Sequence, residues 1–170
     1  MSFDIQYEYR IGIGTDIHRL AENRKLMLGG VEIPYNLGLL GHSDADVVLH
    51  AVIDAILGAA GMGDIGDMFP DTDPKWRNAD SKDLVLLARD ELEAKRWEVV
   101  NADITVAAER PKLSPFKGQL KRCVSSLLGI DFLNVNVKAK TNEGLGEIGE
   151  GLAIGCTAIA LLRRRIKRTL

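Results

Sequence analysis

Hydrophobic and polar positions repeat with two different periods along this chain, and the changes of period mark its elements. Arg10-Ile11-Gly12-Ile13-Gly14 alternates with the period of two that a strand requires, and its glycines let another backbone approach closely. Lys25 to Leu28, Gly29-Gly30 and Val31 to Pro34 read as a hairpin around a glycine turn. From Ser43 the period becomes helical and holds to about Ala60, where Gly61 and Gly63 end it. Ser43 followed three positions later by Asp46 resembles a capping box, which sets the expected helix start at Ser43. Residues 61–80, rich in Gly, Asp and Pro, form a long loop, a common home for functional groups.

A second helix is expected from Asp80-Ser81, with Leu84, Leu87, Ala88 and Leu92 on one face. Val99 to Ala108 reads as a strand. Ser114-Pro115 opens a helix that presents Phe116, Leu120, Cys123, Val124 and Leu127 and stops at Gly129. Val135 to Ala139 alternates as a strand. A last helix is expected from Gly149 into the basic cluster Arg163 to Arg168, cations that suit a helix C-terminus. Strands and helices intersperse without a clean βαβ repeat, which predicts an α+β domain, a mixed sheet with helices packed on one face. Residues 1–9 read as a polar extension and residues 10–170 as a single catalytic domain.

Composition narrows the function classes. With 170 residues, 46% hydrophobic and 27% charged, the chain can bury an ordinary core as one domain. A net charge of -2 gives no general attraction to nucleic acid or to an anionic membrane, so local groups must hold any phosphorylated ligand. The basic tail is read as a helix end rather than as a nucleic-acid arm. Cys123 and Cys156 lie in apolar stretches and read as buried free thiols. No secretory pattern or membrane-length apolar run is visible, and the expected setting is the cytoplasm.

The polar residues that interrupt these patterns concentrate donor atoms. Asp16-x-His18 follows the first strand, and residues two apart on an extended segment point the same way. Asp46, His50 and Asp54 stack along one helix face. Asp16, His18 and His50 make the three-ligand set of a catalytic zinc site, with Asp46 or Asp54 expected to orient His50. A solvated helix face is the plain alternative. The three histidines, His18, His42 and His50, however, all fall between Asp16 and Asp54. Lys138 to Gly146 ends a strand in hydroxyl, amide, carboxylate and glycine groups. Backbone amides and Thr141 there can meet phosphate oxygens, and Glu143 can hold a hard cation. Asp64 to Pro74 is dense in carboxylates that can meet sugar hydroxyls or serve turns.

Taken in order, Gly14-Thr15-Asp16-Ile17-His18, Gly41-His42-Ser43-Asp44-Ala45-Asp46 through His50, Gly63-Asp64-Ile65-Gly66, Phe69 to Pro74, Pro111-Lys112-Leu113 and Lys138 to Glu143 resemble the 2-C-methyl-D-erythritol 2,4-cyclodiphosphate synthase family over roughly residues 10–162. The resemblance implies that a 2-phosphate attacks the β-phosphate of a cytidine diphosphate methylerythritol ester and expels CMP. It implies Zn²⁺ on Asp16, His18 and His50, and Mg²⁺ or Mn²⁺ on Glu143. His42 and Thr141 then stabilise the transition state. Ser43, Asp64, Ile65, Gly66, Phe69, Pro70, Asp71, Thr72 and Asp73 bind the methylerythritol phosphate. Ala108, Pro111, Lys112, Leu113, Lys140, Thr141 and Asn142 frame the cytidine. It also implies a homotrimer with active sites between chains, metal ligands and cytidine pocket coming from neighbouring subunits.

The chain departs from the family pattern at Glu147 and Glu150, where an aromatic and an arginine are common. The alternatives are a zinc phosphohydrolase with Asp46 or Asp54 as base, and a metal- or nucleotide-binding module without turnover.

Overall fold

The computed structural model describes residues 6–166. Seven strands and five α-helices follow one another as β1 (Gln6–Ala21), β2 (Leu26–Leu28), β3 (Val31–Ile33), β4 (Gly38–Leu39), α1 (Val47–Ala60), α2 (Ile65–Met68), α3 (Ser81–Ala94), β5 (Glu98–Ala107), α4 (Lys117–Leu128), β6 (Val135–Lys140), α5 (Gly146–Gly149) and β7 (Ala153–Ile166). The main sheet has the order β4-β1-β7-β5-β6, and β2 and β3 form a separate hairpin. Among the described residues only β5 and β6 pair in parallel, so the sheet is mixed, as the pattern predicts. Helix α1 lies across β1 and β7, α4 runs along β6 and α3 packs on α1. Among the described residues the opposite sheet face is bare, with Ile11, Ile13, Ile17 and Ile159 exposed.

Glycine decides how closely α1 sits. A Cβ at Gly12 would collide with the Ala55 carbonyl and the Ala59 amide, and one at Gly14 with the Ala51 carbonyl and Asp54. The bare strand backbone therefore lets α1 lie directly on β1, which brings the His50 turn of the helix beside Asp16. Helix α1 itself is buried nearly all round, and Gly61 closes it in the left-handed conformation.

The structure corrects several expectations. The segment from Ala153 is not a helix but β7, the central strand, paired to β1 on one side and β5 on the other. An apolar run of Ala, Ile and Leu has no period that separates a buried strand from a buried helix, and here the sheet position overrides helix propensity. Arg163 and Arg164 are accordingly strand residues, joined to Glu98 at 2.9 Å and Glu8 at 2.7 Å. Lys167 and Arg168 lie outside the described residues.

Strand β1 begins at Gln6, so residues 6–9 belong to the sheet and not to an extension. Helix α1 starts at Val47 with Asp46 as its cap, not Ser43. Leu87 is exposed, its place in the buried stripe of α3 taken by Val85. Cys156 is buried and Cys123 half-buried, both free.

Candidate metal centre and the strand ends beside it

Strand β1 runs on past the expected Gly14 and carries Asp16 and His18 on the side facing α1. His50 descends from the first turn of α1 to meet them. Asp16 Oδ2 lies 3.1 Å from His18 Nε2 and 2.9 Å from His50 Nδ1. One donor atom from each of the three residues falls within 4.8 Å of the other two. Burial works to raise the Asp16 carboxyl, but hydrogen bonding to His18 and His50 outweighs it and holds the group well below the ordinary carboxylate range. Asp16 in turn holds the His18 imidazole above its usual value, first through its hydrogen bond.

The donors fit a divalent ion. His18 Nδ1 lies 2.8 Å from the Leu40 carbonyl, which only accepts, so Nδ1 carries the hydrogen and the lone pair on Nε2 faces Asp16. A lone pair opposite a carboxylate oxygen calls for a cation between them, and the raised His18 value is the same demand met by a proton. Two nitrogens and one carboxylate oxygen are the ligand types of an open zinc site. Pairing of β1 with β4 sets Leu40 there, through Leu20 against Leu39 and the Leu40 amide on the Arg19 carbonyl at 2.9 Å.

Asp46 and Asp54 do not orient His50. Asp46 is fully buried and accepts the amides of Gly29 (2.8 Å), Gly30 (2.7 Å), Val48 (3.0 Å) and Leu49 (3.1 Å), tying the β2–β3 turn to the start of α1. Asp54 accepts the Ile65 amide at 2.8 Å and so fastens the 64–66 turn, while burial pushes its carboxyl up. The second nitrogen of His50, Nε2, instead lies 3.0 Å from Ser81 Oγ and 3.1 Å from Ser43 Oγ. Sequence reasoning assigned no role at the site to Leu40 or Ser81. Ser81 read only as a helix start, and nothing local signals that the first turns of α1 and α3 meet.

The neighbouring loop is ordered by its own side chains. Asp64 and Asp67 cap α2 reciprocally, and Asp73 accepts the Lys75 amide to start a 3₁₀ turn at Pro74–Trp76. Phe69 is buried edge-to-face against Trp76 at 4.9 Å. His42, Asp71 and Thr72 share a cavity of about 300 Å³ with Pro74, Trp76 and Arg77. Trp76 and Arg77 are additions to the expected set.

The remaining candidates gather elsewhere. The Ala108 amide donates to the Lys140 carbonyl at 2.9 Å and the Asn142 amide to Glu109 at 3.2 Å, which joins the ends of β5 and β6. Leu113 is buried, whereas Lys112 and Lys140 are exposed. Thr141 Oγ1 donates to Glu143 Oε1 at 2.9 Å, and Glu143 takes a left-handed φ of 52°. In register, Asp16 faces Cys156, Cys156 faces Val106 and Val106 faces Ala139. Three strand spacings therefore separate the triad from the Thr141 turn, about 14 Å along one end of the sheet.

An α+β domain with a His/Asp triad at one sheet end and a polar glycine turn three strands away is the frame of a protein with a candidate metal site. Comparison with known proteins identifies the family. The model of the YgbB family matches residues 9–163. The 2-C-methyl-D-erythritol 2,4-cyclodiphosphate synthase of Neisseria gonorrhoeae is 54% identical over 155 residues, 91% of this chain and 97% of that one. A solved structure of 2C-methyl-D-erythritol-2,4-cyclodiphosphate synthase in its CDP-bound form superposes with a TM-score of 0.83 at 40% identity, covering 90% of this chain and 99% of that one. The bifunctional IspDF of Campylobacter jejuni superposes with a TM-score of 0.90 at 43% identity over 94% of this chain, which spans 43% of that longer protein. The chain belongs to the YgbB family, that of the 2-C-methyl-D-erythritol 2,4-cyclodiphosphate synthases.

Proposed function

We propose that this chain converts 4-diphosphocytidyl-2-C-methyl-D-erythritol 2-phosphate into 2-C-methyl-D-erythritol 2,4-cyclodiphosphate with release of CMP, a phosphorus–oxygen lyase of non-mevalonate isoprenoid biosynthesis. The observation that carries this reading is the convergence of Asp16, His18 and His50 within 4.8 Å, in a chain 54% identical to a named synthase. An oxygen of the 2-phosphate bonds to the β-phosphorus, and the bond from that phosphorus to the bridging oxygen breaks, so CMP leaves with the electron pair. The nucleophile is already an anion, and no strong base is needed. Placing two phosphates together and neutralising their charge is most of the work.

The donor set of the triad suits Zn²⁺, and the oxygen ligands around Glu143 suit Mg²⁺ or Mn²⁺. Divalent ions bound there supply Lewis-acid polarisation of the phosphate oxygens. The chain's own groups then orient the substrate. Ser43 holds the 2-phosphate, Asp64 to Gly66 and Phe69 to Asp73 enclose the methylerythritol, and His42 and Thr141 donate to oxygens that gain charge. Ala108 to Leu113 with Lys140 to Asn142 frame the cytidine. A diphosphate held by one triad does not reach a Thr141 turn about 14 Å away in the same chain. The bare isoleucine face of the sheet needs cover. Both support a homotrimer in which neighbouring chains complete each site. Among the described residues no helix is long and apolar enough to cross a membrane, and both thiols are free; we place the enzyme in the cytoplasm.

A zinc phosphohydrolase would need Asp46 or Asp54 as base. Asp46 is fully buried and committed to four amides, so it cannot serve; Asp54 accepts the Ile65 amide through one oxygen and lies on the 64–66 turn rather than on the triad. The deciding experiment follows turnover of the cytidine diphosphate substrate by ³¹P NMR, with and without chelator. CMP and a cyclic diphosphate, lost on chelation and restored by Zn²⁺ with Mg²⁺, are expected. Free phosphate would favour the hydrolase, and binding without turnover a non-catalytic module.

A further inference from the structure

The way the fold engages the second nitrogen of His50 decides which nitrogen faces Asp16. Ser81 is fully buried at the first position of α3, and its hydroxyl donates to Asp44 Oδ1. The Asp44 carboxylate is fixed in that orientation. Its Oδ2 accepts the Ser81 amide at 3.2 Å and its Oδ1 accepts the Asp46 amide at 3.2 Å. A serine hydroxyl has one proton to give. With that proton directed at Asp44, Ser81 Oγ can only accept from His50 Nε2, 3.0 Å away. Nε2 therefore carries the hydrogen, and the lone pair sits on Nδ1, which faces Asp16 Oδ2 at 2.9 Å.

We propose that Ser81 and Asp44 are positioning residues that hold His50 in its Nε2–H tautomer and so present Nδ1 as the metal ligand. The inference rests on the reading of Asp16, His18 and His50 as ligands. It completes a symmetry in the site. His18 is fixed from behind by the Leu40 carbonyl, and His50 by a hydroxyl that a carboxylate has turned into a pure acceptor. Such partners fix tautomer and ring orientation and raise the basicity of the ligand. Ser43 gains from the arrangement. Its Oγ lies 3.1 Å from Nε2, but the Nε2 hydrogen is served by Ser81, so the Ser43 hydroxyl keeps its proton for a phosphate oxygen.

Two readouts test this without using activity. In zinc-loaded wild-type protein labelled with ¹⁵N at histidine, long-range ¹H–¹⁵N correlation should show His50 protonated on Nε2 and metal-shifted on Nδ1. A proton on Nδ1, or ligation through Nε2, overturns the proposal. Ser81→Ala should keep its circular dichroism spectrum and bind zinc roughly 10- to 100-fold more weakly in competition with a chromophoric chelator, whereas affinity within about twofold of wild type overturns it. Should Ser81→Ala not fold, the tautomer measured on the wild type still decides. His50→Ala separates the two levels. Wild type that takes up no zinc, or His50→Ala that binds it as tightly as wild type, removes the ligand assignment itself. Loss of zinc from His50→Ala with full retention by Ser81→Ala removes only the positioning role.

Discussion

The triad and the Thr141 turn stand at the same end of one sheet and are built in opposite ways. Around Asp16, His18 and His50 each imidazole is held from behind inside the chain, His18 by the Leu40 carbonyl just after β4 and His50 by the Ser81 and Ser43 hydroxyls. The Thr141–Glu143 pair is shaped by its own hydrogen bond, a left-handed residue and the Asn142 amide on Glu109, and the segment beyond Glu143 is exposed through Glu147. The first group is preorganised by the fold that carries it. The second is presented outward, as a surface waits for a partner. A preorganised half with the donors of a candidate metal site and an outward half, about 14 Å apart, suit the proposed site shared between chains.

Breaking the preorganised half should cost most. His50→Ala removes a proposed ligand, and an ion held there would carry several kcal/mol of charge stabilisation, so turnover should fall on the order of 10³-fold with the fold intact. Metal analysis alongside the assay checks it, and full zinc in that variant would falsify the ligand assignment. Next comes the close approach that seats α1. Gly14→Val drives a side chain into the Ala51 carbonyl and Asp54, and should destabilise by about 3 kcal/mol in urea unfolding, lowering zinc uptake with it. A midpoint equal to wild type would show that β1 and α1 do not depend on that contact.

The outward half should respond more gently. Glu143→Gln should keep zinc while the Mg²⁺ or Mn²⁺ concentration for half-activation rises roughly tenfold, about 1.4 kcal/mol. An unchanged divalent response would reject the role. The smallest effect on the single chain is expected at Ile13, which is exposed. Ile13→Asp should change intrinsic stability by about 0.5 kcal/mol or less, yet shift the mass measured by light scattering from trimer toward monomer. A trimer that survives this substitution would place the subunit contact on another face.

The parts legible in the sequence were those with local signatures. The glycine turn of the β2–β3 hairpin, the Gly61 and Gly129 helix ends and the alternation of β1 and β6 all announce themselves within a few residues. The convergence of Asp16, His18 and His50 was legible too, because Asp16-x-His18 and His50 are scarce residues in close succession. What failed was non-local. The Ala153–Leu162 run is apolar on every face, and only its neighbours in the sheet make it a strand. Asp46 sits at helical spacing from His50, yet four backbone amides draw it to the helix cap and away from the imidazole. Ser81 lies thirty-one positions from His50, and only the packing of α3 on α1 brings its hydroxyl to the ring.

Mixing two inactive variants tests the shared site most directly. One variant would lack the triad, as Asp16→Asn with His50→Ala. The other would lack the outward half, as Thr141→Val with Glu143→Ala. Co-refolded in equal amounts and assayed for CMP release, the mixture should regain activity that neither variant has, because some interfaces then join an intact triad to an intact turn. A mixture as inactive as its components, although mixed assemblies have formed, would contradict a site completed by neighbouring chains.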